Sequence, residues 1–148
     1  MALNEKDFKI LEKLKENSKL TISEISEKTS IPITTVHNRI KKMEQTGVIK
    51  KYTLELNHSV LGNVITAYLM IHTSTMLANG LKVNQEDIVK EMKLLKQIDT
   101  IELLAGQGDI LVKARVKDVN ELNNAIIKQI KKIDGINNIQ TMIVLNEY

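Results

Sequence analysis

Residues 21–45 read TISEISEKTSIPITTVHNRIKKMEQ and contain two short predicted helices separated by a proline turn. Thr21 begins the first helix, because a threonine followed by Glu24 three residues later forms a capping box. The helix is predicted to end before Pro32, whose ring disfavours a helical conformation at Ile31. A short helix, a tight turn and a second helix are typical of a helix-turn-helix.

The second of these helices is predicted from about Ile33 to Gln45, and its two faces differ in chemistry. Apolar side chains recur every three or four residues on one face, which predicts a buried stripe of Val36, Ile40 and Met43. The opposite face carries hydroxyl, amide and cationic side chains, namely Thr34, Asn38 and Lys41, flanked by His37 and Lys42, and none of these five is a carboxylate. Such side chains contact base edges and phosphates in a major groove, whereas a merely solvated helix face usually includes glutamate.

A helix is predicted before this motif and a strand after it. Asn4 begins the first helix, with Asp7 at its third position as a weaker capping box. The apolar stripe of this helix is predicted to be Phe8, Leu11 and Leu14. Residues 48–56 are rich in β-prone side chains and are predicted to form a wing strand beside the DNA. Lys50 and Lys51, near its start, are predicted to contact phosphates, which carry little sequence information.

Positive charge is concentrated in the first part of the chain. Residues 1–56 contain 11 Lys/Arg and 8 Asp/Glu, a net charge of +3, whereas residues 57–148 contain 10 of each. Within residues 28–51, six basic side chains accompany one acidic side chain, Glu44. Such clustering indicates a polyanion partner, and the alternative is a chance bias in a solvated surface.

Composition excludes several other classes of protein. The chain has no cysteine, which excludes a disulfide framework and any thiolate metal site. No stretch approaches the roughly 20 apolar residues that a membrane helix needs. Because the first ten residues also lack an apolar signal core, we expect a cytoplasmic protein with no membrane partner. No cofactor is predicted.

The second part of the chain predicts alternating strands and helices after a hinge at residues 57–63. The predicted elements are a strand at 64–73, a helix from Gln85, strands at 100–105 and 110–116 around the turn GQGD, a helix capped by Asp118 and reaching Ile133, and a strand at 136–145. The order β-α-β-β-α-β is the ferredoxin-like arrangement, with both helices on one face of a four-stranded sheet. Since the first strand is apolar on both faces, a two-fold-related copy is the simplest cover for the other sheet face.

The predicted fold class is therefore α+β, with a winged helix-turn-helix joined to a ferredoxin-like domain. The domain boundaries that we expect are residues 1–56 for DNA binding, 57–63 for the hinge, and 64–148 for dimerisation and effector binding.

Several of these segments together resemble the Lrp/AsnC family, the feast/famine regulators of bacteria and archaea. The resemblance covers nearly the whole chain and is carried, in order and at the family's spacing, by LNEKD at 3–7, TVHNRIKKME at 35–44, GVI at 47–49, GQGD at 106–109 and GI at 135–136. Each segment alone is weak, but their order and spacing are specific. We expect a member of the archaeal type.

The resemblance implies dimers built on the C-terminal sheets, which often assemble into tetramers or octamers and bind operator or promoter DNA. The residues predicted to bind DNA are Thr34, Thr35, His37, Asn38, Lys41, Lys42, Lys50 and Lys51. Family members in archaea both activate and repress, and an activator would contact basal transcription factors. The sequence does not distinguish between these roles.

Many relatives in the family bind an amino acid between dimers, near the glycine-rich hairpin. The resemblance assigns this role to Gly106, Gly108 and Asp109, with Thr141 nearby. Backbone amides of the turn could meet a carboxylate and Asp109 an α-ammonium, although Gly-Asp is also ordinary turn chemistry. Where the family often has a second polar residue, this chain has Ile139.

Two alternatives compete with a DNA-binding regulator. Some tetrapyrrole decarboxylases resemble the same family, so that the fold alone does not exclude an enzyme. His72 is the only histidine of the C-terminal domain, where it is expected to be a core or interface residue, and His37 and His58 are too scattered for a ligand set. The other alternative is an interaction module that has lost DNA binding, which the basic helix argues against.

Overall fold

The computed structural model describes residues 2–77 and 79–146. They form two compact units, which are divided between Leu56 and Asn57. The first unit contains three helices: α1 (Glu5–Glu16), α2 (Ile22–Thr29) and α3 (Ile33–Gln45). The second contains β1 (Ile65–Thr73), α4 (Gln85–Met92), β2 (Ile98–Leu103), β3 (Ile110–Val116), α5 (Val119–Asn124) and β4 (Ile136–Ile143). The α+β fold class predicted from the sequence is confirmed.

Both predicted capping boxes are present at the starts of α1 and α2. The Thr21 side chain accepts a hydrogen bond from the Glu24 amide, and the Glu24 carboxylate accepts one from the Thr21 amide at 2.7 Å. The same reciprocal pair joins Asn4 and Asp7. These bonds satisfy amide groups that the first turn of a helix leaves without partners, and therefore fix where each helix begins.

The core of the first unit differs from the prediction in the phase of α1. Its fully buried apolar side chains are Ile10, Ile25, Val36 and Met43, with Ile31 nearly so. Phe8, predicted on the apolar stripe, is 59% exposed, whereas Asp7 is completely buried. Leu11 and Leu14 pack against the core from its edge. The face of α1 that meets the core is thus centred on Ile10 and includes a carboxylate.

The strand predicted at residues 48–56 is not formed. Residues 50–56 belong to no strand, and none of the described residues forms a ladder with them. A strand needs a neighbouring backbone to satisfy its amide and carbonyl groups, and β-prone side chains do not supply one. The segment nevertheless begins from a fixed point, because the Ile49 amide donates to the Met43 carbonyl at 3.0 Å.

The second unit is a four-stranded antiparallel sheet in the order β2-β3-β1-β4. The alternation predicted for β3 is observed, since Ile110, Val112, Ala114 and Val116 are all buried. Ile110 and Val112, together with Leu69 and Ile71 of β1, pack with Ile88, Met92 and Ile130 of the helical layer, whereas Val116 packs with Ala67 and Leu122. The opposite face carries Tyr68 and Met70 of β1, beside Leu111 and Met142 on the neighbouring strands.

The last predicted helix is only partly α-helical. After α5, a π-helical turn (Ala125–Gln129) and a 3₁₀ turn (Ile130–Lys132) complete it. A π turn holds one more residue than an α turn and changes which positions face inward. The inward side chains nevertheless keep helical spacing, since Leu122, Ala125 and Ile130 are buried, whereas Ile127 is 51% exposed.

The turn between β2 and β3 packs directly on β1. A β-carbon at Gly108 would overlap the Met70 Sδ, so only glycine fits there without a shift of the methionine. The Asp109 amide donates to the Ile71 carbonyl at 3.0 Å, and an Asp109 carboxylate oxygen accepts from the Thr73 amide at 2.7 Å. These contacts hold the turn against the end of β1.

We expect Gly108→Ala to lower the free energy of unfolding by about 1–3 kcal/mol, because the added methyl group forces Met70 out of its position. In the Met70→Ala background the same change should cost clearly less, which urea denaturation of the full chain measures. Gly80→Ala is the control, since a methyl group there meets no atom within 4 Å and strains only the backbone, at φ +83°. An equal loss from Gly108→Ala in both backgrounds would contradict the packing argument.

Candidate DNA-binding and effector sites

The turn between α2 and α3 is fixed by local hydrogen bonds. Ser30 ends α2 in the left-handed conformation, with φ 55° and ψ 32°. The Ser26 hydroxyl donates to the Ile31 carbonyl at 2.6 Å, and the Ile31 amide donates to the Ser26 carbonyl at 3.3 Å. Pro32 then precedes α3 with φ −54°, a value that its ring imposes. The direction in which α3 leaves the turn is therefore set by these few residues.

Most of the predicted DNA-binding side chains are exposed on α3 and just after it. The exposed residues are Thr34, His37, Asn38, Lys41, Lys42, Lys50 and Lys51, and Thr35 is half-buried. Val36 and Met43 lie on the opposite side of the helix and are fully buried, and the predicted Ile40 is half-buried beside them. The helix therefore separates an apolar face from a polar one.

His37 and Asn38 lie close together on the polar face. The His37 Nδ1 is 3.3 Å from the Asn38 Oδ1, so that a ring proton on that nitrogen would be donated to the amide oxygen. Such a bond would leave the amide nitrogen of Asn38 directed to other acceptors. An asparagine with its amide exposed on a helix can bind the N6 and N7 edge of adenine with two hydrogen bonds.

Glu44, the one acidic residue among residues 28–51, accepts a hydrogen bond from a residue that follows α3. The Tyr52 hydroxyl donates to the Glu44 Oε1 at 2.8 Å. Partial burial, then the hydrogen bond to Glu44 and its negative charge, raise the pKa of the Tyr52 hydroxyl, which is therefore the donor in this bond. The sequence did not predict this contact, which attaches the extended residues after Ile49 to the end of α3. Lys50 and Lys51 lie between these two attachments and are exposed.

Arg39 is the one basic residue of α3 that points towards the protein. Its Nη1 lies 3.3 Å from the Asp7 Oδ2, and its side chain is only 30% exposed. Counting charges along the sequence had included Arg39 in the basic cluster of residues 28–51. Since 32 residues separate the two partners, no local pattern could reveal the pair.

The residues predicted to bind an effector are not all brought together within one chain. Gly106 is exposed, with a positive φ of 150° that favours glycine. Gly108 is buried, and Asp109 is half-buried, with its carboxylate bonded to the Thr73 amide. Thr141 is exposed on β4 opposite Leu69, which faces the helices. Because β1 separates β3 from β4, Thr141 lies on the far side of β1 from the glycine turn.

The described part of the chain shows no cluster of three or more histidine or acidic side chains placed to hold a metal ion. His72 lies near the end of β1, half-buried and opposite Asn138. Among the same residues, no helix is both long and apolar enough to cross a membrane.

Two family models match the chain. Residues 3–50 match a winged helix-turn-helix DNA-binding domain, and residues 66–148 match the Lrp/AsnC ligand-binding domain. An HTH-type transcriptional regulator of Pyrococcus horikoshii is 31% identical over 141 residues, which cover 95% of this chain and 91% of that protein. The HTH-type transcriptional regulator FL11 of Pyrococcus furiosus is 34% identical over 143 residues, covering 97% and 89%.

Solved structures of low sequence identity share the fold. A transcriptional regulator of Neisseria meningitidis in complex with L-Met matches with a TM-score of 0.89 at 24% identity, over 99% of this chain and 92% of that one. AsnC of E. coli matches with a TM-score of 0.85 at 22% identity, over 99% and 95%. Both domains and the regulator relatives agree in one assignment: this chain belongs to the Lrp/AsnC family of transcriptional regulators.

Proposed function

We propose that this protein regulates transcription by inserting α3 into the major groove of specific DNA sequences, as one half of a dimer. The observation that carries the proposal is the polar face of α3, which exposes an amide, hydroxyls and cations and no carboxylate among Thr34, His37, Asn38, Lys41 and Lys42. A helix of this diameter fits the major groove, and these side chains match its donors and acceptors.

Different side chains would serve affinity and specificity. We assign base contacts to Asn38 and Lys41 near the middle of the exposed face, since base edges lie deepest in the groove. Lys50 and Lys51, beyond the end of α3, are assigned to phosphates, where a cation contributes affinity by releasing counterions. Thr35, which is half-buried, is assigned only a short hydroxyl contact.

Dimerisation is supported by the sheet face opposite the helices. Tyr68, Met70, Leu111 and Met142 lie on it, and Met142 is 40% exposed in the single chain. Lys113 reaches over the Tyr68 ring at 5.8 Å and covers only part of this surface. A second copy related by a two-fold axis would bury the remaining apolar side chains and present two copies of α3.

Selection from random DNA by the purified protein tests the function directly. We expect the enriched sites to be inverted repeats whose half-sites lie about one helical turn apart, roughly 10 base pairs, or a multiple of it. Electrophoretic titration of the enriched duplex against a scrambled duplex of equal composition then gives the ratio of specific to non-specific affinity. Recovery of single asymmetric sites would contradict the dimer, and no enrichment at all would contradict sequence-specific binding.

Asn38→Ala and Lys50→Ala form a matched pair that separates base contacts from phosphate contacts. We expect Asn38→Ala to cost about 1–3 kcal/mol on the enriched site and to relax the preference at one base position, with little effect on scrambled DNA. Lys50→Ala should weaken binding to both duplexes and reduce the salt slope of log K by about one unit. If the two variants behave alike in both assays, the division of roles is wrong.

We further propose that an amino acid modulates binding at the glycine hairpin. The support is the match to the Lrp/AsnC ligand-binding domain over residues 66–148 and the L-Met bound to the Neisseria regulator. Thr141 and the hairpin lie on opposite sides of β1 in one chain, and we propose that residues of another copy complete the site.

A thermal-shift series with the twenty amino acids tests this second proposal. A ligand present at 100 times its dissociation constant stabilises the folded protein by about 2.7 kcal/mol, which raises the midpoint by several degrees. We expect one or a few amino acids to do so, and Thr141→Ala to diminish the shift. Thr53→Ala, an exposed threonine of the other unit, is the control and should leave it unchanged. No shift with any amino acid would refute the proposal.

A further inference from the structure

We propose that Asp7 is a positioning residue for DNA binding, which acts through Arg39 to fix the rotation of α3 about its own axis. This inference rests on the proposed function, since it concerns how accurately the polar face of α3 is presented to the duplex.

The geometry at Asp7 is that of a buried, shared acceptor. Its side chain is completely buried, and its Oδ2 accepts hydrogen bonds from the Asn4 amide at 2.9 Å and from the Arg39 Nη1 at 3.3 Å. Its Oδ1 is also buried and has no hydrogen-bond partner among the described residues. A carboxylate that is shielded from solvent is stabilised by a nearby cation. The buried Asp7 carboxylate therefore favours the conformation of Arg39 in which the guanidinium lies beside it.

The remaining contacts between α1 and α3 do not fix rotation equally well. Ile10, Val36 and Met43 attract one another through apolar burial, which has no directional preference. A rotation of α3 by about 20° would move a side-chain end some 6 Å from the axis by about 2 Å. Apolar packing can absorb part of such a movement, whereas a hydrogen bond to a base edge tolerates only a few tenths of an ångström.

A contact at Arg39 can restrain the rotation of Asn38 about the axis of α3, because the two residues are adjacent in the helix. Its charge is directed at Asp7 rather than outward, while Lys41 and Lys42 remain exposed. The contact therefore holds the residue next to the proposed adenine-reading side chain at a defined angle to α1.

The test uses the full-length protein and two duplexes, the one enriched from random DNA by the native protein and its scrambled version. Asp7→Asn keeps an acceptor for the Asn4 amide and removes the charge, and Arg39→Gln removes the guanidinium. The double variant replaces the ion pair with two neutral amide side chains. Lys28→Gln, an exposed cation of α2, is the control for loss of one positive charge. All titrations are made at least 15 °C below the midpoint of each variant, with circular dichroism confirming the folded state.

We expect each single variant to reduce the ratio of specific to non-specific affinity by about tenfold, the equivalent of one lost base contact, with an unchanged salt slope. The double variant should recover part of this ratio, and Lys28→Gln should leave it intact. Recovery is the decisive readout, since changing Asp7 cannot restore a contact between Arg39 and DNA.

Two results would overturn the inference. If Arg39→Gln weakens binding to both duplexes and lowers the salt slope by about one unit, without recovery in the double variant, Arg39 contacts a phosphate. If all folded variants keep the native ratio, the pair only stabilises the fold. Should a single variant fail to fold, Arg39→Lys and the double variant decide between the same outcomes. A native protein that does not distinguish the two duplexes refutes the proposed function itself, and this inference with it.

Discussion

The buried carboxylate of Asp7 is the constraint on which the first unit depends. It closes the capping box of α1 with Asn4 and, through the same oxygen, accepts the hydrogen bond from Arg39 of α3. Removing one partner of a fully buried ion pair costs about 3–5 kcal/mol, and the partial exposure of Arg39 reduces this value through solvent screening. The Asp7 side chain therefore both fixes the first residue of α1 and contacts α3.

The features that the sequence predicted correctly are those governed by neighbours within four residues. The pairs of Thr21 with Glu24 and Asn4 with Asp7 place helix starts, because a cap and its partner are separated by a fixed three positions. The alternation from Ile110 to Val116 predicts a strand with one buried face for the same reason. The exposed face of α3 follows from helical periodicity once the start of the helix is known.

The features that the sequence missed depend on residues that are distant along the chain. Phe8 is a better core residue than Asp7 by hydrophobicity, yet Asp7 is buried and bonded to Arg39, and Phe8 is exposed. Residues 50–56 have the composition of a strand, but strand formation requires a partner backbone that the described residues of this chain do not provide.

The two arginines of the chain show how it distributes its positive charge. Arg39 pairs with Asp7 and Arg115 with Asp99, at 3.3 and 3.0 Å, and their side chains are only 30% and 13% exposed. The planar guanidinium suits such shared and partly buried bonds, whereas the strongly hydrated ammonium of lysine suits exposed positions. The most common specific contact to guanine is a bidentate arginine, and α3 has turned its only arginine inward. In the proposed mode of binding, guanine recognition by this helix would therefore fall to Lys41 and adenine recognition to Asn38, so that the orientation of α3 would matter more than its charge.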